Sequence, residues 1–189
     1  MPDDARTTLV QTAQRLFAER GVSATSPRQV LAASGVGQGS LYHHFPTKHD
    51  LTLAAVGATV DEALTSAMQA LAADSPALER VVSYLDRPRD ALAGCKVGRL
   101  TSDQAVMDDP DVRTVVGVYF TRLLDAVQRV LTESGLPADL ARDRAHAAVA
   151  VVQGGYVLAR ATGDPDAMRS AVRGLAHLLT ASDSKGPNA

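Results

Sequence analysis

Residues 26–48 read SPRQVLAASGVGQGSLYHHFPTK, and this stretch encodes two short helices joined by a tight turn. Ser26 is a typical N-cap, Pro27 takes the first helical position, where its missing N–H costs nothing, and Gln29 completes a capping box. Gly35 is able to adopt a positive φ and end the first helix. The pattern predicts a helix-turn-helix with its turn around that glycine.

The second helix, predicted from about Gln38 to Phe45, is too short to be stable alone. Leu41 and Phe45 are expected to dock on the preceding helices, which leaves the opposite face for a ligand. That face carries amide, hydroxyl, phenol and imidazole groups, which pair with base edges in the DNA major groove or with phosphate oxygens, and a glycine that permits close approach. Its members are Gln38, Gly39, Ser40, Tyr42 and His43.

A further helix is predicted to begin after Pro46, with Thr47 as its cap and Asp50 three residues later. Lys48, in the first turn, places a mobile cation beside free backbone N–H groups, an arrangement suited to a phosphate. Upstream, apolar residues recur at helical spacing until Gly21, so three helices should share one small core. These apolar residues are Leu9, Val10, Ala13, Leu16 and Phe17.

Several of these residues also have simpler explanations. Phe45 precedes the proline break and faces Leu41, which favours a place in the core. Ser26 is first a helix cap and only second a phosphate ligand. The side chains of His43 and His44 point about 100° apart on a helix, whereas helical metal ligands are spaced three or four residues apart. We therefore expect no metal site and no cofactor.

The order LFAERGVSATSPRQVLAASGVGQGSLYHHFPTKHDL, residues 16–51, resembles the N-terminal domain of the TetR family of transcriptional regulators, and the resemblance covers about residues 5–55. It implies that the second helix reads the major groove and that the lysine after the Phe-Pro break contacts phosphate. Gly37 is a departure, because many members carry a serine or threonine cap there. The implied contacts with double-stranded DNA are Ser26, Gln38, Gly39, Ser40, Tyr42, His43 and Lys48.

Positive charge is only slightly concentrated in the N-terminal part of the chain. The 189 residues carry a formal net charge of −2, and residues 1–50 hold five Lys/Arg against four Asp/Glu. Electrostatic affinity for DNA should therefore come from a few placed cations and from helix N-termini rather than from a basic field. These cations are Arg6, Arg28 and Lys48, so Arg28 joins the candidate DNA contacts.

Composition and motifs also restrict the class of protein. Residues 1–6 are polar and charged, so we expect no signal peptide, and no apolar run reaches the roughly 18 residues needed to span a bilayer. The single cysteine, Cys95, can form neither an internal disulfide nor a cysteine-based zinc site. A soluble, cytoplasmic protein without membrane contact is expected. The GxSxG, HExxH and P-loop motifs are all absent from the sequence, so we do not expect an enzyme.

The remaining chain predicts an all-α fold of about nine helices, because no period-2 strand pattern of any length occurs. We expect a helix-turn-helix DNA-binding domain over residues 1–50, a helical effector-binding and dimerisation domain over 51–181, and a flexible tail over 182–189. Proline and glycine mark the breaks between helices. Beyond a linking helix from Thr47 to about Ala73, helices are predicted near 77–86, 94–107, 111–134, 138–161 and 165–181.

The segment AHAAVAVVQGGYVLARA, residues 145–161, is apolar nearly all round and must be covered on most sides. The last helix adds an apolar stripe of its own. Together they predict a homodimer built from two helices of each subunit, with packing within one chain as the alternative. The family resemblance implies the same dimer, which would present two reading helices to an inverted repeat. The stripe consists of Met168, Ala171, Val172, Leu175, Leu178 and Leu179.

The resemblance further implies a ligand pocket among the C-terminal helices, where binding separates the two DNA-binding domains. The segment GCKVGRLTSDQAVM, residues 94–107, is similar to a subset of members in which a Gly-Cys pair opens the sixth helix. Bulky or polar residues on otherwise aliphatic helices are candidate lining residues, although ordinary packing also explains each one singly, and Gln153 could hydrogen-bond across a dimer. They are Cys95, Arg99, Met107, Tyr119, Phe120, Leu123, Gln153 and Tyr156.

These features predict a dimeric repressor that binds double-stranded DNA and is released by a small apolar or amphipathic effector. The alternative is a DNA-binding adaptor without an effector pocket, controlled by its own abundance or by a protein partner. Thermal unfolding with small apolar compounds distinguishes the two, because only a protein with a pocket gains stability on binding.

Overall fold

The structure is a computed structural model that describes residues 2–183, and within them helices are the only regular secondary structure. The all-α fold class is confirmed, with ten described helices where about nine were predicted. They are α1 (Pro2–Arg20), α2 (Pro27–Ser34), α3 (Gln38–His44), α4 (Lys48–Leu71), α5 (Ala77–Asp86), α6 (Lys96–Leu100), α7 (Gln104–Met107), α8 (Pro110–Glu133), α9 (Ala138–Thr162) and α10 (Asp166–Asp183).

The additional helix lies in residues 94–107, where the prediction of a single helix was wrong and two short helices form. Gly94 has a φ of +85°, so helical structure begins only at Lys96. After α6 ends, Asp103 takes an extended conformation and accepts a hydrogen bond of 3.1 Å from the Ala105 N–H. An aspartate in this position is an N-cap and starts a new helix. The segment therefore forms two short helices with a turn between them.

By proximity in space, the chain groups into two compact units. The first unit combines Met1–Ala63 with Lys96–Tyr119, and the second combines Leu64–Cys95 with Phe120–Ala189. The division predicted at residue 50 stays a prediction about function, but α6, α7 and the start of α8 group with the helix-turn-helix. Of the predicted tail, residues 182 and 183 continue α10, and the other six lie outside the described residues.

The core of the first unit forms where α1 packs against α2 and α3. Val30 of α2 and Leu41 of α3 are each 1% exposed, and Phe45, just after α3, is 3% exposed. Phe45 is therefore a core residue, as its position before Pro46 favoured. Burying an apolar side chain of this size contributes roughly 1.5–3 kcal/mol. This contribution holds the short α3 in place, since seven residues are too few for a stable isolated helix.

Local hydrogen bonds set the ends of α2 as the sequence predicted. The Ser26 hydroxyl accepts from the Gln29 N–H at 3.3 Å, and Gln29 Oε1 accepts from the Ser26 N–H at 2.7 Å. Gly35 ends the helix with a φ of +69°, and its N–H donates to the Leu31 carbonyl at 3.1 Å. The start of α4 is closed in the same way, because Thr47 and Asp50 exchange hydrogen bonds of 2.9 and 3.1 Å.

In the second unit, α10 packs against α9 and α5. The approach of α9 to α10 is close, because a Cβ on Gly155 would lie 3.0 Å from Met168 Cγ and 3.3 Å from its Cα. The apolar stripe predicted on α10 is divided between two environments. Met168, Val172 and Leu179 are buried, whereas Leu178 is 68% exposed. The correction follows from helix geometry, since adjacent residues 178 and 179 point about 100° apart.

Candidate DNA-binding surface and effector site

The structure brings the predicted reading residues together on one face of α3. Tyr42 is 49% exposed although it is a large aromatic residue, and its neighbour Leu41 is buried beneath the helix. An aromatic ring left outside a well-packed core is available to a partner. The other predicted members of this face are also exposed or half-buried: Gln38, Gly39, Ser40 and His43.

The two glycines at the start of α3 are not required by packing within the protein. Gly37 is the N-cap with a φ of −68°, and among the described residues no side chain caps this helix. The first-turn N–H groups are therefore left without a side-chain acceptor. A Cβ added at Gly39 would meet no described atom within 4 Å. Packing among the described residues therefore does not require glycine at this position.

Ser26 and Arg28 lie at the N-terminus of α2, and both are exposed. The Ser26 hydroxyl is already engaged, because besides accepting from Gln29 N–H it contacts Gln29 Oε1 at 3.0 Å. Its role as a cap is thus confirmed. Phosphate contacts by Ser26 and Arg28 stay predictions.

The Lys48 ammonium has a partner that sequence reasoning missed. It donates to the Val22 carbonyl at 3.0 Å, linking the start of α4 to the turn after α1. An ammonium has three N–H donors, so this bond leaves donors for a phosphate oxygen. The predicted phosphate role of Lys48 is compatible with this contact and stays a prediction.

A second cation is held beside the end of α3. The Arg6 guanidinium carbon lies 5.5 Å from the centroid of the Phe45 ring, within the range of a cation–π interaction. Arg6 is otherwise exposed. The contact keeps a positive charge of α1 close to the end of α3.

His49 forms a cluster with two carboxylates that the sequence did not indicate. Its Nδ1 lies 2.8 Å from Asp109 Oδ2, and its Nε2 lies 3.4 Å from Asp111 Oδ2. The hydrogen bond to Asp109 is the main cause that raises the His49 pKa; desolvation opposes it, and the negative charges of Asp109, Asp111 and Asp50 add to it. A ring with a carboxylate at each nitrogen is best satisfied as an imidazolium.

The same three residues form a group whose ligand atoms lie within 4.8 Å of one another, as a metal site would require. However, the two carboxylates approach opposite ring nitrogens, whereas an imidazole offers a metal only one of them. Asp109 is also engaged at the start of α8, where its Oδ1 accepts from the Asp111 and Val112 N–H groups at 3.1 Å. The geometry therefore describes an ion-paired histidine.

Asp103 is another residue that sequence reasoning did not single out. Its carboxylate accepts hydrogen bonds from the N–H groups of Val22, at 2.6 Å, and Ser23, at 3.2 Å, and from the Ser23 hydroxyl. The available signal was only that an aspartate two residues before an apolar pair is a good N-cap. That signal cannot reveal a partner 81 residues away.

The predicted effector residues are distributed over both units. Tyr119 of the first unit and Leu123 of the second are 2% and 0% exposed, and core packing accounts for both. The other candidates are half-buried. In the first unit these are Arg99 and Met107, and in the second Cys95, Phe120, Gln153 and Tyr156.

Within the second unit, the buried Tyr84 and two half-buried arginines form a polar cluster that the sequence prediction missed. Tyr84 is 1% exposed, and the guanidinium carbons of Arg87 and Arg89 lie 5.3 and 5.4 Å from its ring centroid. Arg89 also donates to the Tyr84 and Leu85 carbonyls at 2.5 and 2.7 Å, which satisfies the end of α5. An arginine soon after a helix is the one sequence signal that could have indicated this cap.

Two predicted residues belong to the surroundings of this cluster. Burial raises the pKa of both Tyr84 and Tyr156, Arg87 and Arg89 act against it, and a negative charge on the nearby Cys95 would act with it. Electrostatic coupling of this kind requires the groups to be near one another. Cys95 and Tyr156 are therefore associated with Tyr84 in the second unit.

A small cavity opens beside the same arginines. Its volume is about 270 Å³, close to the lower end of the roughly 300–1,000 Å³ typical of ligand pockets. A wider groove of about 780 Å³ lies between α4 and α8, with Arg122, Arg129, Asp125 and Glu133 in its walls. Among the described residues lining these two spaces, none is a predicted effector contact. The small cavity is lined by Leu85, Asp86, Arg87, Pro88, Arg89, Ala91, Pro165, Met168, Arg169 and Val172.

The outer faces of α9 and α10 carry large apolar side chains in contact with solvent. Val157, Leu158 and Leu178 are 67%, 51% and 68% exposed, whereas Ala159 on the same α9 is fully buried. A group of exposed aliphatic residues is typical of an interaction surface. Within residues 2–183, no helix combines the length and apolar character needed to cross a bilayer.

The helix-turn-helix and the exposed polar face of α3 define the class of DNA-binding transcriptional regulators. Residues 9–55 match the family described as bacterial regulatory proteins, tetR family, and residues 72–174 match the C-terminal domain of LmrA/YxaF-like transcriptional regulators. The chain belongs to the TetR family of transcriptional regulators. This membership confirms the family resemblance and the expectation that the protein is not an enzyme.

Known relatives support the same conclusion over most of the chain. The HTH-type transcriptional regulator YxaF of Bacillus subtilis is 28% identical over 169 residues, covering 85% of this chain and 87% of YxaF. The HTH-type transcriptional repressor Rv3405c of Mycobacterium tuberculosis is 37% identical over 102 residues, 52% of either chain. The crystal structure of a TetR-family regulator from Agrobacterium tumefaciens superposes with a TM-score of 0.81 at 25% identity, covering 94% of this chain and 98% of that one.

Proposed function

We propose that this regulator is a dimeric repressor that binds an inverted-repeat operator and releases it when a small molecule binds the second unit. The observation that carries the proposal is the exposed polar face of α3, presented by a helix-turn-helix whose apolar residues are buried. Repression is supported by the relative Rv3405c, which is a transcriptional repressor. Because the matching family is one of bacterial regulatory proteins and the proposed ligand is DNA, we place the action of this protein in the cytoplasm.

In this proposal the reading residues and the phosphate contacts have separate roles. Gln38, Ser40, Tyr42 and His43 pair with base edges in the major groove, and Gly39 lets the helix approach them. Ser26, Arg28 and Lys48 lie at helix starts and fix the register by binding phosphates, which carry no sequence information. The modest net charge of the chain means that this specific set, rather than a general positive field, supplies the affinity.

We assign the dimer interface to the outer faces of α9 and α10. Val157, Leu158 and Leu178 are large, aliphatic and more than half exposed, and burial of such a side chain contributes about 1.5–3 kcal/mol. A two-fold axis repeats each contribution, because both subunits use the same surface. The dimer then presents two copies of α3 to half-sites about 10 base pairs apart, or a multiple of that distance.

We assign the effector to the second unit, near the cluster formed by Tyr84, Arg87 and Arg89. The adjoining cavity combines guanidinium groups with the apolar side chains of Met168 and Val172, so an amphipathic molecule with an acidic group fits it better than a wholly apolar one. Cys95 and Tyr156 are the sequence-predicted residues associated with this cluster.

Selection of bound duplexes from a random-sequence DNA pool tests the proposal. The expected result is a palindromic consensus whose half-sites are separated by about one helical turn, bound by two subunits per site. Enrichment of a sequence without two-fold symmetry would contradict the dimeric mode, and lack of any enrichment would contradict sequence-specific binding. Thermal unfolding with a panel of small amphipathic acids tests the effector, and a panel without a single stabilising compound would favour the adaptor alternative.

A further inference from the structure

The turn that connects α1 to α2, residues 21–25, is held by side chains from two distant parts of the first unit. Val22 is 3% exposed, and its backbone is engaged on both sides. Its carbonyl accepts from the Lys48 ammonium at 3.0 Å, and its N–H donates to Asp103 Oδ2 at 2.6 Å. One buried residue thus connects a lysine of α4 to a carboxylate between α6 and α7.

The Asp103 carboxylate is fully used in this arrangement. Oδ2 accepts from the N–H groups of Val22 and Ser23, and Oδ1 accepts from the Ser23 hydroxyl and from the Ala105 N–H. Burial raises the pKa of Asp103, but the hydrogen bonds from Ser23, Val22 and Ala105 together outweigh it and leave the pKa below its usual value. Asp103 is therefore a carboxylate that serves as the cap of α7 and as the anchor of the turn.

The turn is also shaped for this carboxylate. Gly21 has a φ of +87°, and a Cβ at this position would lie 2.8 Å from Asp103 Oδ2. Both the backbone conformation and the space therefore require glycine. Such close approach between a glycine and a carboxylate 82 positions later in the sequence indicates a specific fit rather than a chance surface contact.

Fixing Val22 also fixes the direction of its carbonyl, which is the acceptor for Lys48. We propose that Asp103 is a positioning residue for DNA binding: it holds Val22, and Val22 holds the Lys48 ammonium at the place where an operator phosphate binds. This inference rests on the proposed function, because it assumes that Lys48 contacts phosphate. Side-chain entropy of a lysine is large, so restricting its ammonium beforehand strengthens the contact.

The test compares Asp103→Asn with Asp108→Asn, using the duplex recovered by selection. Both changes remove one negative charge from the same segment, but the Asp108 side chain accepts from Gln104 and does not contact the turn. An asparagine amide cannot accept all the hydrogen bonds that Asp103 receives. We expect Asp103→Asn to weaken binding about tenfold relative to Asp108→Asn and to lower the slope of log affinity against log salt by about one unit.

A double-mutant cycle with Lys48→Ala separates positioning from general loss of structure. If Asp103 acts through Lys48, Asp103→Asn should change affinity less than about twofold once Lys48 is replaced. Ser23→Ala removes only the hydroxyl that donates to Asp103. We expect it to weaken DNA binding less than Asp103→Asn does, with an unfolding temperature equal to that of the wild type.

An unchanged salt slope in Asp103→Asn, or an equal loss of affinity in the presence and absence of Lys48, would overturn the inference while leaving the proposed function intact. If the wild-type protein itself enriched no duplex, the proposed function and this inference would both be rejected. The wild-type measurement therefore distinguishes the two failures.

Discussion

Lys48 and Gly39 illustrate how a residue's contacts within the protein constrain its role toward DNA. The Lys48 ammonium has one intramolecular acceptor, the Val22 carbonyl, and donors to spare. Gly39 has open space where a side chain would be. Contacts within the protein use one of the Lys48 donors and leave the space beside Gly39 empty. The proposed DNA contact would use the remaining donors and that space.

Replacement of Lys48 by alanine should weaken binding to every DNA sequence by a similar factor. A lysine on a phosphate contributes one released counterion, so the slope of log affinity against log salt should fall by about one unit. Fluorescence anisotropy over a series of salt concentrations measures this slope. Arg142→Ala, which removes an exposed charge from α9, serves as the control and should leave the slope unchanged. Equal slopes for Lys48→Ala and wild type would refute the phosphate contact.

Replacement of Gly39 by alanine should separate folding from DNA recognition. Alanine favours a helix over glycine by up to about 1 kcal/mol, and no described atom obstructs its methyl group, so the free energy of unfolding should stay equal or rise. The methyl group would instead meet the DNA and reduce operator affinity. Gly117→Ala, at an equally open position in α8, is the control and should not affect binding. Unimpaired binding by Gly39→Ala would argue against close approach of α3.

At the scale of helices, local sequence signals set some helix boundaries and tertiary contacts set others. The start and end of α2 were predictable because the Ser26–Gln29 capping box and Gly35 act within three or four residues. The interruption between α6 and α7 was not predicted, because its amphipathic pattern alone does not distinguish one helix from two. The break is made at Asp103, whose carboxylate accepts hydrogen bonds from the Ala105 N–H and from the distant α1–α2 turn.

The starts of α4 and α8 are linked by His49, and this link should make stability depend on pH. The pKa of His49 is raised in the folded state, mainly by its hydrogen bond to Asp109, so its contribution is fully present below the unfolded pKa of about 6.5. The contribution is lost as the pH rises through the folded pKa. The pKa of Asp109 is lowered, first by the Val112 N–H, so its own contribution is lost only in strong acid.

We therefore expect the difference in unfolding temperature between wild type and His49→Gln to be largest near pH 6 and to shrink toward pH 9. The stabilisation declines once the pH exceeds about 6.5, because the unfolded chain then gives up the histidine proton that the folded protein still holds. Thermal unfolding followed by circular dichroism at several pH values measures this difference. His146→Gln, at a histidine whose ring nitrogen contacts the Arg142 carbonyl, is the matched control variant. A His49→Gln difference that grew with pH would contradict the ion pair.

At the scale of the whole molecule, burial within one chain leaves aliphatic surface on α9 and α10 uncovered. The sequence predicted a surplus of apolar residues there but assigned all of the α10 stripe to one face. The structure assigns Met168, Val172 and Leu179 to the core and leaves Leu178 outside. Of the large residues of the stripe, Leu178 is the most exposed to another subunit, so the proposed interface uses a smaller part of α10 than the sequence pattern predicted.

Replacement of Leu158 by glutamate should convert the proposed dimer into a monomer. Leu158 is 51% exposed, so a charge is tolerated in a free subunit, but in an interface it would be buried and unpaired. Analytical ultracentrifugation measures the mass, and operator binding should fall because one subunit reaches only one half-site. Leu92→Glu, at a leucine of similar exposure outside α9 and α10, is the control. A dimer that persisted in Leu158→Glu would place the interface elsewhere.

The sequence by itself determined the helix-turn-helix, because its caps, glycine turn and apolar spacing act over a few residues and point to one arrangement. It also determined which face of α3 is exposed, since Leu41 and Phe45 had to be buried. Only the tertiary structure decided that Val22 meets Asp103 and that His49 meets Asp109, pairs 81 and 60 positions apart. Such partners depend on how helices pack, and no local periodicity or propensity specifies them.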